Sequence, residues 1–187
     1  MKTMLILFSA ILSTTGLFAN LNPGLITSDA KSLIVNARDW KSSSINISIR
    51  DAKNTAVFEE TLTGKELKKY NLKNFPSGTY ELEITDDQKT TTQEFVISSK
   101  EISFTKNTRT IYRPYMKFTE NGLDFNLLTL NHSALISIYN ENDDLVFQSN
   151  MPKGAISKRF SMKELPSGQY YVNVNIAEKT FSDFFRK

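Results

Sequence analysis

The sequence predicts an all-β protein made of two tandem small antiparallel β-sandwiches, similar in class to immunoglobulin or fibronectin III domains. Two observations predict this fold: apolar residues recur with a period of two, and the pattern of residues 47–58 returns at 136–147. A period of two places alternate side chains on the same face of a strand. The recurrence of a whole pattern indicates two copies of one folding unit.

The repeat is carried by several matching stretches. An offset of 89 residues aligns the first hairpins, an offset of 90 aligns a Pro-Ser-Gly-x-Tyr element, and an offset of 89 pairs Phe95 with Phe184. The matching stretches are Ile47–Ile49 with Ile136–Ile138, Val57–Phe58 with Val146–Phe147, and Pro76–Tyr80 with Pro166–Tyr170. We predict a signal peptide at 1–19, a first sandwich at 20–98, an ordered linker or shared strand at 99–122, and a second sandwich at 123–187.

Each predicted unit contains alternating strands joined by polar turns. Ile45, Ile47 and Ile49 are separated by polar residues, and Ala134, Ile136 and Ile138 repeat the pattern. The segments 51–54 and 140–144 supply the Asn and Asp residues that tolerate tight hairpin turns. The segment 64–70 (GKELKKY) contains helix-forming residues but is too short to form a helix alone. We predict that it is a connection.

The repeated Pro-Ser-Gly-x-Tyr element predicts a tight corner before a strand. Proline suits the second position of a type I turn, and glycine suits the fourth position. In immunoglobulin-like sandwiches a tyrosine at such a corner buries its ring and hydrogen-bonds its hydroxyl to nearby backbone. We assign a structural role to six residues: Pro76, Gly78, Tyr80, Pro166, Gly168 and Tyr170.

The beginning of the chain has the features of a secretory signal peptide. Lys2 precedes the apolar run 4–12, and Ala19 stands at a plausible cleavage point. The run is shorter than a membrane-spanning helix, so we expect no transmembrane segment. The predicted location is the periplasm, the outer surface or the extracellular space. The chain has no cysteine, which excludes disulfides and thiolate chemistry, and its net charge of +3 gives no reason to expect a nucleic acid partner.

The linker and one tryptophan supply the candidate binding residues. Basic and aromatic residues alternate in the linker, a pattern that binds acidic polymers, glycans or membrane headgroups through charge and stacking. The same pattern is typical of an edge strand guarded by basic residues. The candidate binding residues are Trp40, Arg109, Tyr112, Arg113 and Tyr115. Their expected partner is a protein or another component of the cell envelope.

No arrangement in the sequence predicts catalysis, a metal or a cofactor. His132 is the only histidine and stands beside Ser133, but neighbouring residues on an extended chain point to opposite sides. Asn140, Asn142 and Asp144 imitate the start of a calcium loop, yet Leu145 occupies the position that requires glycine. We therefore expect that the protein is not an enzyme.

The second unit resembles the C-terminal sorting domains of the type IX secretion system and related modules of exported Bacteroidetes proteins. The resemblance is carried by ISIYNENDDLVFQS at 136–149, FSMKELPSGQYYVNVN at 160–175 and KTFSDFFRK at 179–187, and it extends more weakly to the first unit. It implies that a sorting signal would lie in the last strands, with Leu165, Gly168, Tyr170 and 184–187.

Two function classes follow from these observations. The first is a non-catalytic exported protein of the periplasm or cell surface, in which duplicated sandwiches serve a structural or binding role. The alternative is a type IX secretion cargo whose second unit acts as the sorting domain. Delivery of a reporter by the second unit to the cell surface would distinguish the two.

Overall fold

The part of the chain that the structure describes folds into small antiparallel sheets, which confirms the predicted all-β class. The structure is a computed structural model that describes residues 25–29, 31–64, 66–120 and 122–187. The predicted signal peptide, residues 1–19, lies outside the described residues. In the described part of the chain, the helical structure is a single 3₁₀ turn at Ala37–Asp39, and none of it is long and apolar enough to cross a membrane.

The first module consists of two packed sheets. Its strands are β1 (Leu25–Asp29), β2 (Ser32–Asn36), β3 (Ser44–Asp51), β4 (Ala56–Thr63), β5 (Leu67–Asn71), β6 (Gly78–Thr85), β7 (Lys89–Ile97) and β8 (Ile102–Tyr112). One sheet has the strand order β1-β2-β5 and the other has the order β4-β3-β6-β7-β8.

The second module repeats this arrangement with one strand fewer. Its strands are β9 (Tyr115–Thr119), β10 (Gly122–Leu128), β11 (Ala134–Asn140), β12 (Leu145–Met151), β13 (Ala155–Ser161), β14 (Gln169–Ile176) and β15 (Lys179–Arg186). The sheets have the orders β9-β10-β13 and β12-β11-β14-β15. The strand that has no counterpart is β8, which covers the edge of the first module.

Each module has its own apolar core between its two sheets. Inward residues of the first core include Leu33, Ile47 and Leu82, and those of the second include Phe125 and Val174, all 0 or 1% exposed. The alternation along β3 and β11 selects these inward positions, since successive side chains of a strand point to opposite faces. Burial of the alternating apolar residues is the main favourable contribution to folding.

The segment 64–70 is not a simple connection, as we had predicted from its composition. Its second half belongs to β5, which pairs antiparallel with β2 over five residues from Ser32 opposite Asn71 to Asn36 opposite Leu67. Tyr70 is 7% exposed and lies in the first core. Packing of this tyrosine and the hydrogen bonds to β2 outweigh the weak helical preference of neighbouring lysines.

The predicted equivalence of Phe95 in the first module to Phe184 in the second is wrong by one residue, because Phe95 corresponds to Phe185. Tyr80 lies opposite Phe95, and Tyr170 lies opposite Phe185. The ring centroids of these stacked pairs are 5.7 and 5.2 Å apart. Phe185 is 9% exposed, whereas Phe184 is 64% exposed. A shift of one residue along a strand moves a side chain to the other face of the sheet, so the correction places Phe184 outside.

Both Pro-Ser-Gly-x-Tyr elements form a tyrosine corner. Tyr80 and Tyr170 are 6% and 3% exposed, so their rings lie in the cores. Each hydroxyl donates a 2.9 Å hydrogen bond to a backbone carbonyl, that of Pro76 for Tyr80 and that of Pro166 for Tyr170. The bond spans four residues and fixes the corner where the chain enters β6 or β14.

A buried glutamine explains why β8 pairs with the first module alone. Gln93 on β7 is 1% exposed, and its amide nitrogen donates 2.9 Å hydrogen bonds to the carbonyls of Glu94 and Thr105 at a bulge between β7 and β8. The corresponding residue of β15 is Asp183, which is exposed at the edge of the sheet. An acidic residue on an edge strand opposes the addition of another strand.

Candidate functional site

The linker residues form an ordered junction between the two modules. Strand β8 lies at the edge of the first module, β9 lies at the edge of the second, and Arg113 and Pro114 join them. Side chains of β8 contact both cores: Phe104 packs against the first core, and Ile111 packs against the second. The linker therefore holds the modules together through apolar contacts as well as through the chain.

Arg109 is the centre of an ion-pair bridge across this junction. Its guanidinium donates to both carboxylate oxygens of Glu81 at 3.0 and 3.1 Å, and it lies 3.6 Å from a carboxylate oxygen of Glu178. Glu81 belongs to β6 of the first module, while Glu178 lies in the turn between β14 and β15. Both bonds to Glu81 come from one nitrogen, Nη2, and the other terminal nitrogen, Nη1, lies near Glu178, so one guanidinium contacts a carboxylate of each module.

A second ion pair joins the modules beside the first. The amino group of Lys179 donates to both carboxylate oxygens of Glu83 at 2.8 Å. The side chain of Glu83 is 17% exposed and that of Lys179 is 32% exposed, so water screens this pair less than an open surface pair. The turn that presents Lys179 contains Ala177 with a φ of 50°, a left-handed conformation that favours glycine.

The remaining linker candidates surround a shallow groove. Tyr112, Arg113 and Tyr115 line it, with Tyr112 half-buried and Tyr115 58% exposed. The guanidinium carbon of Arg113 lies 5.5 Å from the ring centroid of Phe181 on β15, which is a cation–π contact between linker and second module. Arg109 faces the junction instead, so the four linker candidates do not form one surface.

Trp40 does not belong to a binding surface. It is 6% exposed and packs in the first core, beside the 3₁₀ turn. Its backbone N–H donates a 3.2 Å hydrogen bond to the carbonyl of Ala37. We had considered two roles for this residue, covering an end of the core or marking a binding surface, and its burial supports the first.

His132 is half-buried in a cleft at the junction between the modules. Arg109, Glu178 and Lys179 line the same cleft. In the described part of the chain, no group of three or more His, Cys, Asp or Glu residues could hold a metal ion.

The segment 140–144, whose residues imitate the start of a calcium loop, is a hairpin turn. The side-chain oxygen of Asn140 accepts 2.9 Å hydrogen bonds from the N–H groups of Asn142 and Asp144.

The residues implied as a sorting signal gather at one end of the second module. Gly168 and Lys187 exchange backbone hydrogen bonds of 3.1 and 2.9 Å, and the amino group of Lys187 donates to the carbonyl of Lys163 at 2.7 Å and to that of Leu165. These contacts hold the last strand to the corner at Tyr170.

An aromatic stack forms the floor of this end. The Phe185 ring is stacked between Tyr170 at 5.2 Å and Phe118 of β9 at 4.8 Å, measured between ring centroids. Phe118 and Phe185 line a groove there together with Glu120, Arg186 and Lys187. The apolar floor of this groove therefore has charged residues of both signs beside it.

One salt bridge joins the two sheets of the first module, and another joins neighbouring strands of the second module. In the first, the hydrogen bond from Lys68 at 2.6 Å lowers the pKa of Glu60, and burial together with that carboxylate raises the pKa of Tyr70. In the second, Arg159 on β13 donates to Asp124 on β10, which lowers the pKa of Asp124 and raises that of Arg159.

The second module carries a row of outward-facing side chains that we did not predict from the sequence. Tyr139, Tyr171 and Phe184 lie opposite one another on β11, β14 and β15, with Leu145 of β12 at the end of the row. Their signal was present in the sequence as large apolar residues at outward positions of alternating strands. The register error at Phe184 hid it.

Comparison with known proteins identifies the modules. A family model described as "Secretion system C-terminal sorting domain" matches residues 30–98 and 122–185, which fall on the first and second modules. The resemblance to this family in two tandem copies is therefore confirmed. No curated protein sequence matches the chain.

Two solved structures show weak similarity. The BSP domain of a biofilm associated protein aligns with 87% of this chain and 28% of its own chain, with a TM-score of 0.30 and 14% identity. A β-glucuronidase of Parabacteroides merdae aligns with 86% of this chain and 29% of its own, with a TM-score of 0.28 and 11% identity. The present chain thus spans less than a third of either structure.

Proposed function

Because the chain belongs to the family of secretion system C-terminal sorting domains, we propose that it is a type IX secretion cargo whose second module carries the sorting signal. The observation that supports this proposal best is the family match over both modules, since a sorting domain is found on exported proteins. The proposed destination is the cell surface or the extracellular space, reached by way of the periplasm.

The accessibility of the second module favours it as the signal. Its strand β15 lies at the edge of a sheet, whereas the equivalent strand of the first module, β7, is covered by β8. The outer face of the first module is also engaged, through Glu81 and Glu83, in the junction. A transport component that binds the last strands would therefore find them unobstructed on the second module.

The first module has a structural role in this proposal. It packs against the second module through Ile111 and through the Arg109 and Lys179 ion pairs. We propose that it acts as a spacer that fixes the orientation of the signal and that neither module is catalytic.

Surface delivery of a reporter tests the sorting function. A fluorescent reporter placed between residues 19 and 20 of the full chain is expressed in a host with a working type IX system and in the same host without it. We expect the reporter to become accessible to protease on intact cells only where the system works, with a loss of mass that indicates cleavage. A reporter that stays periplasmic in both hosts would contradict the proposal.

Two variants locate the signal. Removal of 122–187 should retain the reporter in the periplasm, and Arg186→Glu should reduce its delivery without unfolding the chain, because Arg186 is exposed. Lys106→Glu on β8, also an exposed basic residue, is the matched control and should leave delivery unchanged. Equal delivery by all variants would show that the second module is not the signal.

A further inference from the structure

The outer face of the larger sheet of the second module carries an uninterrupted apolar row. In strand order the row is Leu145, Tyr139, Tyr171 and Phe184, each directly opposite the next. Leu145, Tyr171 and Phe184 are 51, 40 and 64% exposed. Scattered exposed apolar residues are normal on proteins, but a contiguous row of this kind marks an interaction surface.

Uncharged polar side chains flank the row on the same face. The next row holds Gln148, Ser137, Asn173 and Ser182, again directly opposite one another. The hydroxyl of Ser182 donates a 2.8 Å hydrogen bond to the side-chain oxygen of Asn173, and in the following row Thr180 does the same for Asn175 at 2.7 Å. These bonds fix the orientation of the two amides on this face.

The same positions of the first module are charged. Arg50, Glu81 and Glu94 take the places of Tyr139, Tyr171 and Phe184, and the neighbouring row includes Glu59 and Glu83. Two of these carboxylates, Glu81 and Glu83, bind the second module at the junction. The outer face of this sheet is therefore charged in the first module and uncharged in the second. None of the eight residues in the two rows of the second module carries a charge.

We propose that this face of the second module binds a neutral polysaccharide, laid across the strands along the aromatic row. The C–H faces of sugar rings stack on aromatic rings, and sugar hydroxyls exchange hydrogen bonds with amides and hydroxyls. Neighbouring strands lie about 4.8 Å apart, which is close to the length of one sugar unit in an extended chain. Successive units can therefore meet successive side chains of the row.

The lack of charge in the two rows favours neutral polysaccharides over acidic polymers. The two rows contain no charged residue, and the row on the other side of the aromatic side chains adds one basic residue, Arg186, opposite Gln169. A single arginine is not the basic track that an acidic polysaccharide or a nucleic acid requires. The hydroxyl of Tyr171 accepts a 2.7 Å hydrogen bond from the amide of Gln169, which holds the ring in place. A ring fixed in advance loses less conformational freedom when a ligand stacks on it.

Gel retardation in soluble polysaccharides tests the proposal. The full chain without residues 1–19 is run in native gels that contain a neutral β-glucan, a mannan, a xylan or the acidic polymer alginate. We expect at least one neutral polymer to slow the protein and alginate to leave its mobility unchanged. Tyr171→Ala should weaken the retardation about tenfold, which corresponds to the loss of one stacking contact.

Matched variants and a second measurement keep the outcome unambiguous. Leu67→Ala removes an apolar side chain that is 57% exposed on β5 of the first module, away from the row, and should leave retardation unchanged. Tyr171→Glu copies the charged residue of the first module and should abolish it. The proposal is overturned if no neutral polymer retards the protein, if Tyr171→Ala and Leu67→Ala behave alike, or if sedimentation shows a dimer that Tyr171→Ala dissociates.

Discussion

At the scale of single residues, the two tyrosine corners show how a short motif fixes local structure. The proline and glycine of the motif shape the turn, and the hydroxyl bond to the proline carbonyl closes it. The same geometry occurs in both modules although most neighbouring residues differ. The motif was sufficient to predict this geometry because all of the interacting atoms lie within five consecutive residues.

Removal of either corner hydroxyl should destabilise the protein. Tyr80→Phe or Tyr170→Phe leaves the ring in place but removes the 2.9 Å bond to a part-buried carbonyl. We expect a loss of about 1 kcal/mol in the free energy of unfolding, measured by urea denaturation. Tyr115→Phe changes a tyrosine that is 58% exposed and serves as the control, with little expected change. Equal effects of all three variants would contradict the role of the corner bond.

The ion pair between Glu60 and Lys68 predicts a pH dependence of stability. It joins β4 of one sheet to β5 of the other at 2.6 Å, and the hydrogen bond from Lys68 lowers the pKa of Glu60 below its ordinary value of 4.5. Because the pKa is lower in the folded chain, the stabilisation is complete above pH 4.5 and is lost as the pH falls through the folded value.

Comparison with Glu60→Gln measures that contribution. We expect the wild-type protein to be more stable than the variant at pH 7, and we expect the difference to shrink as the pH falls from about 5 to about 3. The carboxylate is partly exposed, with 29% of its side chain accessible, so solvent screening keeps the difference small. A difference that is constant over this range would show that the ion pair does not stabilise the folded state.

At the scale of strands, the glycine that opens β10 is restricted by close packing. A Cβ atom added to Gly122 would lie 2.8 Å from the carbonyl oxygen of Phe160 on β13, whereas one added to Gly78 would lie 3.8 Å from the ring of Tyr80. A backbone oxygen in a paired strand cannot move away without disturbing the ladder. The two glycines therefore differ in their tolerance of substitution.

Substitution of the two glycines tests that difference. Gly122→Ala should lower the free energy of unfolding by about 1–3 kcal/mol through the forced separation of β10 and β13. Gly78→Ala should cost much less, because its added methyl group makes an ordinary van der Waals contact. Thermal unfolding of both variants measures the effect. A Gly122→Ala protein as stable as Gly78→Ala would contradict the packing described here.

Most strands were predictable because each presents one face to a core. The alternation at Ile45, Ile47 and Ile49 is such a case. Strand β5 was not predictable, since four of the five residues Leu67–Asn71 stay outside the core and Tyr70 alone is buried. The position of Phe184 was missed because two adjacent phenylalanines fit either register, and only the pairing with β14 decides between them.

At the scale of the whole molecule, charge complementarity aligns the two modules. The sequence could not predict this, because Glu83 and Lys179 are 96 residues apart and each lies among ordinary polar residues. The basic linker residues were equally ambiguous, as a guarded edge and a binding stripe have the same composition. The structure shows that Arg109 belongs to the junction and that Trp40 belongs to the core.

Charge exchange at Glu83 and Lys179 should reveal the coupling between modules. Lys179→Glu alone places two carboxylates together, so we expect more rapid proteolysis of the junction and a loss of about 1 kcal/mol in stability. The double variant Glu83→Lys with Lys179→Glu reverses the pair and should recover most of that loss. A double variant that is no more stable than Lys179→Glu alone would show that the two residues do not interact.

Hydrogen exchange in the linker is the most direct measure of the central claim, that one sandwich occurs twice and that the linker supplies an edge strand to each copy. In the native full chain, the amides of β8 that pair with β7 and those of β9 that pair with β10 are followed by mass spectrometry of overlapping peptides. We expect these amides to exchange slowly, on the time scale of the neighbouring strands. Exchange of 102–119 within seconds, while β3 and β11 stay protected, would contradict it.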